Sequence, residues 1–327
     1  EIDAKGRVYS GTNNGSTRGM HYTQGGYAKK NWGKHGPLTN PFAFGYFEHM
    51  RHKGQNERFT QAFAIYDGGT FPKQFNHAVI AANSLHNRVW SSRLLQDTST
   101  FRTEDIAPLV LTQDRWFRPV DCKVGPDGAV YLADWYDSRL THVDPRDNWH
   151  KSSGRIYRLQ PTNYQPVKPF DLATAKPEVL LKTLSHPNKW FRQKAVQVIY
   201  ERNEQALAPQ LTQQVLDQQH AAALEALWVL NLLGELRDEL AIKLLQHSDP
   251  HIRRWTVRLL GDRRAVTAKV AKALKQLAQS ERDAEVRSQL ASTAKRLSAP
   301  HGLAIVREML AYSADQQDLH IPMLLWW

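Results

Sequence analysis

The chain has 327 residues, of which 41% are hydrophobic and 23% are charged, and its formal net charge is +11. This length accommodates about two domains, and no apolar run is long enough to span a membrane. The basic residues are spread over both halves of the chain rather than gathered in one stripe, which argues against a nucleic-acid partner. The single Cys122 excludes an internal disulfide and a multi-cysteine metal site.

Residues 1–160 have the pattern of a β-rich domain. Turns that contain Gly or Asn precede short apolar runs, as in HAVIAANSLHNRVW (77–90) and GPDGAVYLADWYD (125–137). Such a turn followed by alternating apolar residues indicates a hairpin, and hairpins repeated along a chain are typical of propeller blades. A blade takes about 40–50 residues. We therefore expect residues 1–160 to form about three blades of a partial β-propeller.

The chain changes character at residues 161–178, a Pro-rich segment that we interpret as a linker. Residues 179–327 are helical in pattern, with apolar positions at i, i+3 and i+4 behind an Asp or a His-Pro. Equivalent positions recur about every 30–35 residues, which is typical of helical-pair repeats. We therefore predict an α–α superhelix of HEAT-type repeats, and an α+β multidomain protein as a whole.

Three arginines recur at the same place in these repeats, namely Arg192, Arg253 and Arg287. Each follows a bulky apolar residue close to the start of a predicted helix. We expect them to pair with helix ends or with neighbouring repeats rather than with a ligand.

The candidate binding residues lie at the end of the strand GAVYLADWYD and are Asp134, Trp135, Tyr136 and Asp137. Carboxylates beside aromatic rings suit sugar hydroxyls or a calcium ion, because hydroxyls need acceptors and a ring face offers stacking area. The alternative is that the acids cap a turn while the tryptophan packs between blades. Residues alone leave both interpretations open.

Two histidines are candidates for a catalytic base. His142 follows the strand-end residues closely and could act near Asp137, and His21 precedes an aromatic residue and could face a central axis. A structural role in a loop is the alternative for each.

The segment RWFRPVDCKVGPDGAVYLADWYD, the following GRIYRL and the helical repeats resemble a bacterial family of membrane-bound dehydrogenases. The propeller of that family is similar to the soluble quinoprotein sugar dehydrogenases, and its members often end in a cytochrome-c-like haem domain. The resemblance covers essentially the whole chain. It implies an extracytoplasmic dehydrogenase, periplasmic or envelope-associated, that oxidises a sugar or polyol and passes electrons to a haem domain beyond residue 327.

The resemblance also implies cofactors. In the related quinoproteins, two arginines and a lysine hold the carboxylates of pyrroloquinoline quinone, and Arg118 matches the first of these arginines. The second position is Val120, and the lysine expected after the Gly-Gly turn at 68–69 is replaced by Thr-Phe at 70–71. The calcium ion of the family would be bound by backbone carbonyls near Asn14 and Gly15.

A second function is therefore considered, a non-catalytic module in which the first part binds a glycan or a protein. The helical repeats would then serve as a scaffold that docks a protein partner. Both ends of the sequence look cut, since it starts in a turn-and-strand pattern and stops within the apolar IPMLLWW. We expect this fragment to be inactive by itself.

Overall fold

The computed structural model describes residues 1–29, 45–58, 60–138, 146, 148–217 and 221–327. The strands of the first part form three sheets. Strands β1 and β2 pair antiparallel, a central sheet has the order β3-β7-β6-β5-β4, and a third sheet has the order β10-β9-β8. The strand bounds are β1 Val8–Ser10, β2 Met20–Tyr22, β3 Arg51–Lys53, β4 Phe63–Ile65, β5 Val79–Asn83, β6 Arg88–Asp97, β7 Thr100–Leu111, β8 Pro119–Val124, β9 Val130–Asp134 and β10 Arg155–Leu159.

The central sheet packs against both of the other sheets, because side chains of β5 alternate between its two faces. Val79 and Ala81 pack in one core cluster together with Tyr9 of β1. Ile80 points to the other face and packs in a second cluster with Cys122 of β8. All residues of β5 are buried, and this strand is therefore the middle of a layered β structure.

The predicted three-blade propeller is wrong. The described strands form sheets of two, five and three strands, and none of these sheets is closed or arranged as propeller blades. The central sheet also contains a parallel pair, since β3 adds beside β7 with Arg51 opposite Arg102. The turn signals correctly predict local hairpins, such as β8–β9. They carry no information on how hairpins join, which is decided by pairs distant in sequence such as β3–β7.

The second part is helical, and its helices pack in two layers. Helices α2, α4, α6, α8 and α10 form the inner layer, which faces the sheets. This region agrees in part with the predicted α–α superhelix. The helix bounds are α1 Pro177–Thr183, α2 Lys189–Glu201, α3 Ala208–Leu216, α4 Ala223–Leu232, α5 Asp238–Leu244, α6 Pro250–Asp262, α7 Ala268–Ser280, α8 Ala284–Ala294, α9 Ala299–Met309 and α10 Ile321–Trp326.

The three repeated arginines connect neighbouring helical pairs, as expected. Each Nε donates at 2.7 Å to an acid 28 or 33 residues further along the chain. Each Nη1 also donates to two carbonyls just before its own helix. Each arginine side chain thus binds the carbonyls before its own helix and an acid of the next helical pair. The pairs are Arg192–Glu225, Arg253–Glu281 and Arg287–Asp315.

Among the described helices, none has both the length and the apolar character that a membrane span requires.

The turn before β1 connects the sheets to the inner helices. Arg7 donates through Nη2 to Glu285 of α8 at 2.6 Å, and Trp255 of α6 donates through Nε1 to the carbonyl of Lys5 at 2.8 Å. Further along, Asn188 at the start of α2 donates to the carbonyls of Gly125 and Pro126 in the β8–β9 turn. The turn before β1 therefore contacts α6 and α8, and the β8–β9 turn contacts the start of α2. These polar contacts hold the two parts together.

Gly6 permits the close approach in this contact. Its φ is +69°, and a Cβ at this position would lie 2.3 Å from Cζ2 of Trp255. We expect Gly6→Ala to lower the free energy of unfolding by about 2–3 kcal/mol, because backbone strain and overpacking act together. The change would be measured as a shift of the urea midpoint.

Gly234→Ala is the matched control for Gly6→Ala. Gly234 has a similar φ of +78°, but a Cβ there would meet nothing within 4 Å. It should cost only the backbone strain, about 1 kcal/mol. Equal costs for the two variants would show that the contact with Trp255 is unimportant.

Candidate functional site

The predicted binding residues lie where the β8–β9 hairpin ends. At its turn, Gly128 has a φ of +76° and Asp127 accepts a hydrogen bond from the Ala129 amide, so the Asp-Gly pair is structural. At the other end of the hairpin, the Trp135 amide donates to the carbonyl of Arg118 at 2.9 Å. The hairpin register therefore places Arg118 beside the strand-end residues.

The two acids of the predicted cluster are buried and organise the backbone. Asp134 accepts through Oδ1 from the amides of Arg118 at 2.7 Å and Tyr136 at 2.9 Å. Asp137 accepts through Oδ2 from the amide of His150 at 2.8 Å. These bonds hold Tyr136 at a positive φ of 46°, which is uncommon for a residue with a side chain.

The aromatic residues of the same segment are accessible and gather further rings. Trp135 is 50% exposed and packs edge-to-face against Trp149, with ring centroids 5.5 Å apart. Trp116, which is 37% exposed, lies 5.7 Å from the Tyr136 ring and 5.3 Å from the His150 ring. We call these five residues the aromatic cluster. The cluster consists of two contacting groups, Trp135 with Trp149, and Trp116 with Tyr136 and His150, which neighbour the buried acids in the chain.

Beneath the aromatic cluster, one donor and one acceptor have no hydrogen-bond partner among the described residues. They are Nε of Arg118 and Oδ2 of Asp134, both of which are buried. The Arg118 side chain donates through Nη1 to the carbonyl of Phe117 at 3.0 Å. Burial lowers the pKa of Arg118, while the charges of Asp134 and Asp137 raise it. Buried polar atoms normally have partners, so these two atoms are exceptions at this end of the hairpin.

The residues present do not fit pyrroloquinoline quinone. That cofactor carries several carboxylates, whereas Arg118 is only 5% exposed and lies among acids. Val120, at the position of the second arginine, is 47% exposed. Thr70, in place of the expected lysine, donates through Oγ1 to the carbonyl of Gly128. The assignment of Arg118 as a cofactor contact thus stays a prediction without support from its surroundings.

The predicted calcium position lies in the loop after β1. Oδ1 of Asn14 already accepts hydrogen bonds from the amide and Oγ of Ser16, and Gly15 lies beside the Arg58 side chain. Within the described ranges, no group of three or more His, Cys, Asp or Glu residues could hold a metal ion. The backbone calcium site stays a prediction.

Of the two predicted catalytic histidines, the structure describes only His21, which does not belong to the aromatic cluster. His142 lies outside the described residues. His21 is buried where the sheets meet α10, and its Nδ1 is 3.2 Å from Oγ1 of Thr100. Its ring stacks on that of His320, and burial holds its pKa well below the usual range. The surroundings of His21 are those of a structural residue.

Two histidines that the sequence did not single out have notable positions. His150 is in the aromatic cluster. His77 has a positive φ of 59°, and its Nδ1 lies 2.5 Å from Oδ1 of the buried Asp67. This bond raises the pKa of His77. Asp67 shares a small cavity with Lys123 and Val124 at the far end of β8, roughly 17 Å from the aromatic cluster at the strand rise of 3.3 Å. No motif in the sequence pairs His77 with Asp67.

Comparison with known proteins gives one match. Residues 1–163 match the family model of a domain of unknown function, DUF7133. No curated protein and no solved structure matches the chain. The first part, including the aromatic cluster, is thus similar to a family whose description gives no activity.

Proposed function

We propose that this chain is a binding module that recognises a carbohydrate or polyol at the aromatic cluster, with the helical part as its scaffold. The observation that carries the proposal is the combination of exposed Trp135 and Trp116 rings with the unpartnered Arg118 Nε and Asp134 Oδ2. A sugar hydroxyl both accepts and donates, so it has the hydrogen-bonding capacity that each of these two atoms lacks. The apolar face of a sugar ring would stack on tryptophan.

The buried acids support this proposal, because their hydrogen bonds fix the backbone that carries the surface residues. Asp134 and Asp137 are 4% and 2% exposed and fix the turns that present Tyr136 and His150. A preorganised surface loses less entropy when a ligand binds. The expected binding residues are thus Trp116, Trp135 and Tyr136 at the surface, with Arg118 and Asp134 beneath them.

We expect Trp135→Ala to weaken binding of a sugar ligand about tenfold, which corresponds to the loss of one stacked ring. Titration calorimetry against soluble xylan, galactomannan and a panel of monosaccharides would measure this. Trp326→Ala is the matched control, because Trp326 is 68% exposed but lies on α10. If both variants bind each sugar like the unchanged protein, or if no sugar binds, the proposal fails.

A second candidate function is oxidation of a sugar or polyol hydroxyl. The hydroxyl proton would pass to a base, the hydride of the carbon would pass to a two-electron acceptor supplied outside these residues, and that acceptor would pass its electrons singly to a haem domain. His150 favours it, because an imidazole that contacts Trp116 lies within the site and could take the hydroxyl proton. Sugar-dependent dye reduction by the complete protein, lost in His150→Ala, would support this activity. Sugar binding without any dye reduction would contradict the oxidation activity and leave only the binding function.

A further inference from the structure

A second cavity lies between the turn before β1 and the inner helices α2, α4 and α6. Its volume is about 500 Å³, in the size range of small-molecule sites. Its walls are largely apolar and include Ile2, Val196, Trp228, Leu232 and Trp255. Nothing in the aromatic cluster contributes to it, so it is independent of the proposed sugar site.

Packed aromatic rings form part of the walls of this cavity. Trp228 and Trp255 pack edge-to-face with centroids 5.2 Å apart. Trp255 is fixed by its hydrogen bond to the Lys5 carbonyl, and Gly6 lets both rings pack against the backbone. The Trp228 and Trp255 rings, which are held by these contacts, therefore bound the cavity.

Two hydrogen-bond donors at this cavity have no acceptor among the described residues. They are the buried Nε1 of Trp228 and the buried Nε of Arg258. The Arg258 side chain approaches Asp262 only to 3.9 Å, and its guanidinium lies 4.8 Å from the centre of the Trp255 ring. Both atoms are donors, so only a hydrogen-bond acceptor would satisfy them. One of them, Nε of Arg258, belongs to a cation.

The acids that line the cavity do not supply that acceptor. Asp3 is bound by Arg7, with Nη1 and Oδ2 3.1 Å apart. Glu225 is bound by Arg192, with Nε and Oε1 2.7 Å apart. The charges of Asp3 and Glu225 are thus compensated by these arginines. Nε of Arg258 is left as a positively charged donor without an acceptor.

We infer that this cavity binds a small apolar carboxylate, with the apolar body against Trp228 and Trp255 and the carboxylate at Arg258. An apolar ligand without an acceptor would leave both donors unpaired, and a polar ligand would not use the aromatic walls. A charge-assisted bond from Arg258 Nε and a bond from the Trp228 indole would orient the carboxylate.

Titration calorimetry of the unchanged protein with 1-naphthaleneacetate and its uncharged amide tests this inference. Both probes fill the same apolar volume, but only the acid presents a carboxylate. We expect one site per chain for the acid and at least tenfold weaker binding of the amide.

The variants Arg258→Gln and Trp228→Phe should each weaken binding of the acid about tenfold, and Arg258→Gln should leave binding of the amide unchanged. Arg237→Gln is the matched control, since the Arg237 side chain is 72% exposed and lies elsewhere. Thermal melting would show that each variant is folded, and the conservative Trp228→Phe keeps the packing. Equal binding of acid and amide, no effect of either variant, or no saturable binding up to about 1 mM would overturn the inference.

Discussion

Arg287→Ala is expected to lower the free energy of unfolding by about 3–5 kcal/mol, because it leaves a buried carboxylate without its partner. The Arg287 and Asp315 side chains are 8% and 6% exposed, and two parallel bonds of 2.7 and 2.6 Å join them. The same change removes the donors to the carbonyls of Glu281 and Arg282 before α8. Chemical denaturation of the variant would measure the loss.

Two further variants show whether the buried charge is the cause. Lys275→Ala breaks the exposed pair with Glu308, with side chains 46% and 26% exposed, and should cost less than about 1 kcal/mol. The double change Arg287→Met with Asp315→Leu removes both charges and should recover much of the stability. A double variant as unstable as Arg287→Ala would show that the carbonyl contacts, and not the unpaired carboxylate, dominate.

Acid should destabilise the protein between about pH 6.5 and pH 4, and one contribution arises where the sheets meet α10. Burial lowers the pKa of His320 to about 4 from the ordinary 6.5, against the opposing effect of Asp318. In this window the unfolded chain binds a proton that the folded chain does not, so stability falls as the pH falls. The shift corresponds to about 3 kcal/mol. The neighbouring His21 shifts in the same direction.

His320→Phe would remove this proton linkage while keeping a ring against Phe47, whose centroid is 3.9 Å from that of His320. Stability measured by denaturant titration from pH 7 to pH 4 should then fall less steeply, by about one proton's contribution. Thr23→Val removes the hydrogen bond to Nδ1 of His320 without removing the titrating group. If Thr23→Val flattens the pH profile as much as His320→Phe does, titration of His320 is not the cause.

The features that the sequence predicted correctly are local or periodic. The helices after residue 177 follow from their apolar spacing, and Arg192, Arg253 and Arg287 connect helical pairs as their repeated position indicated. Hairpin β8–β9 follows from an Asp-Gly turn. Each of these depends on contacts between near neighbours in sequence or on a repeated register.

The features that were missed depend on contacts that no motif or repeat in the sequence marks. Trp149 contacts Trp135, and Trp116 contacts Tyr136, each from another loop, and no spacing in the sequence groups them. Asp67 and His77 are only ten residues apart and meet because β4 and β5 pair, but no motif marks this contact. The wrong propeller prediction has the same origin, since the assembly of hairpins into sheets is set by long-range pairing.

The contact of Arg7 with Glu285 has a consequence for biosynthesis. These residues are 278 positions apart, and Lys5 meets Trp255 across 250 positions. At about 5–20 residues per second, a ribosome needs on the order of tens of seconds to make the chain between them. During that time Lys5 and Arg7 lack their partners on α6 and α8, and the face of the sheets that these two helices later cover is open. A chaperone that binds nascent chains would therefore find this face before the helices do.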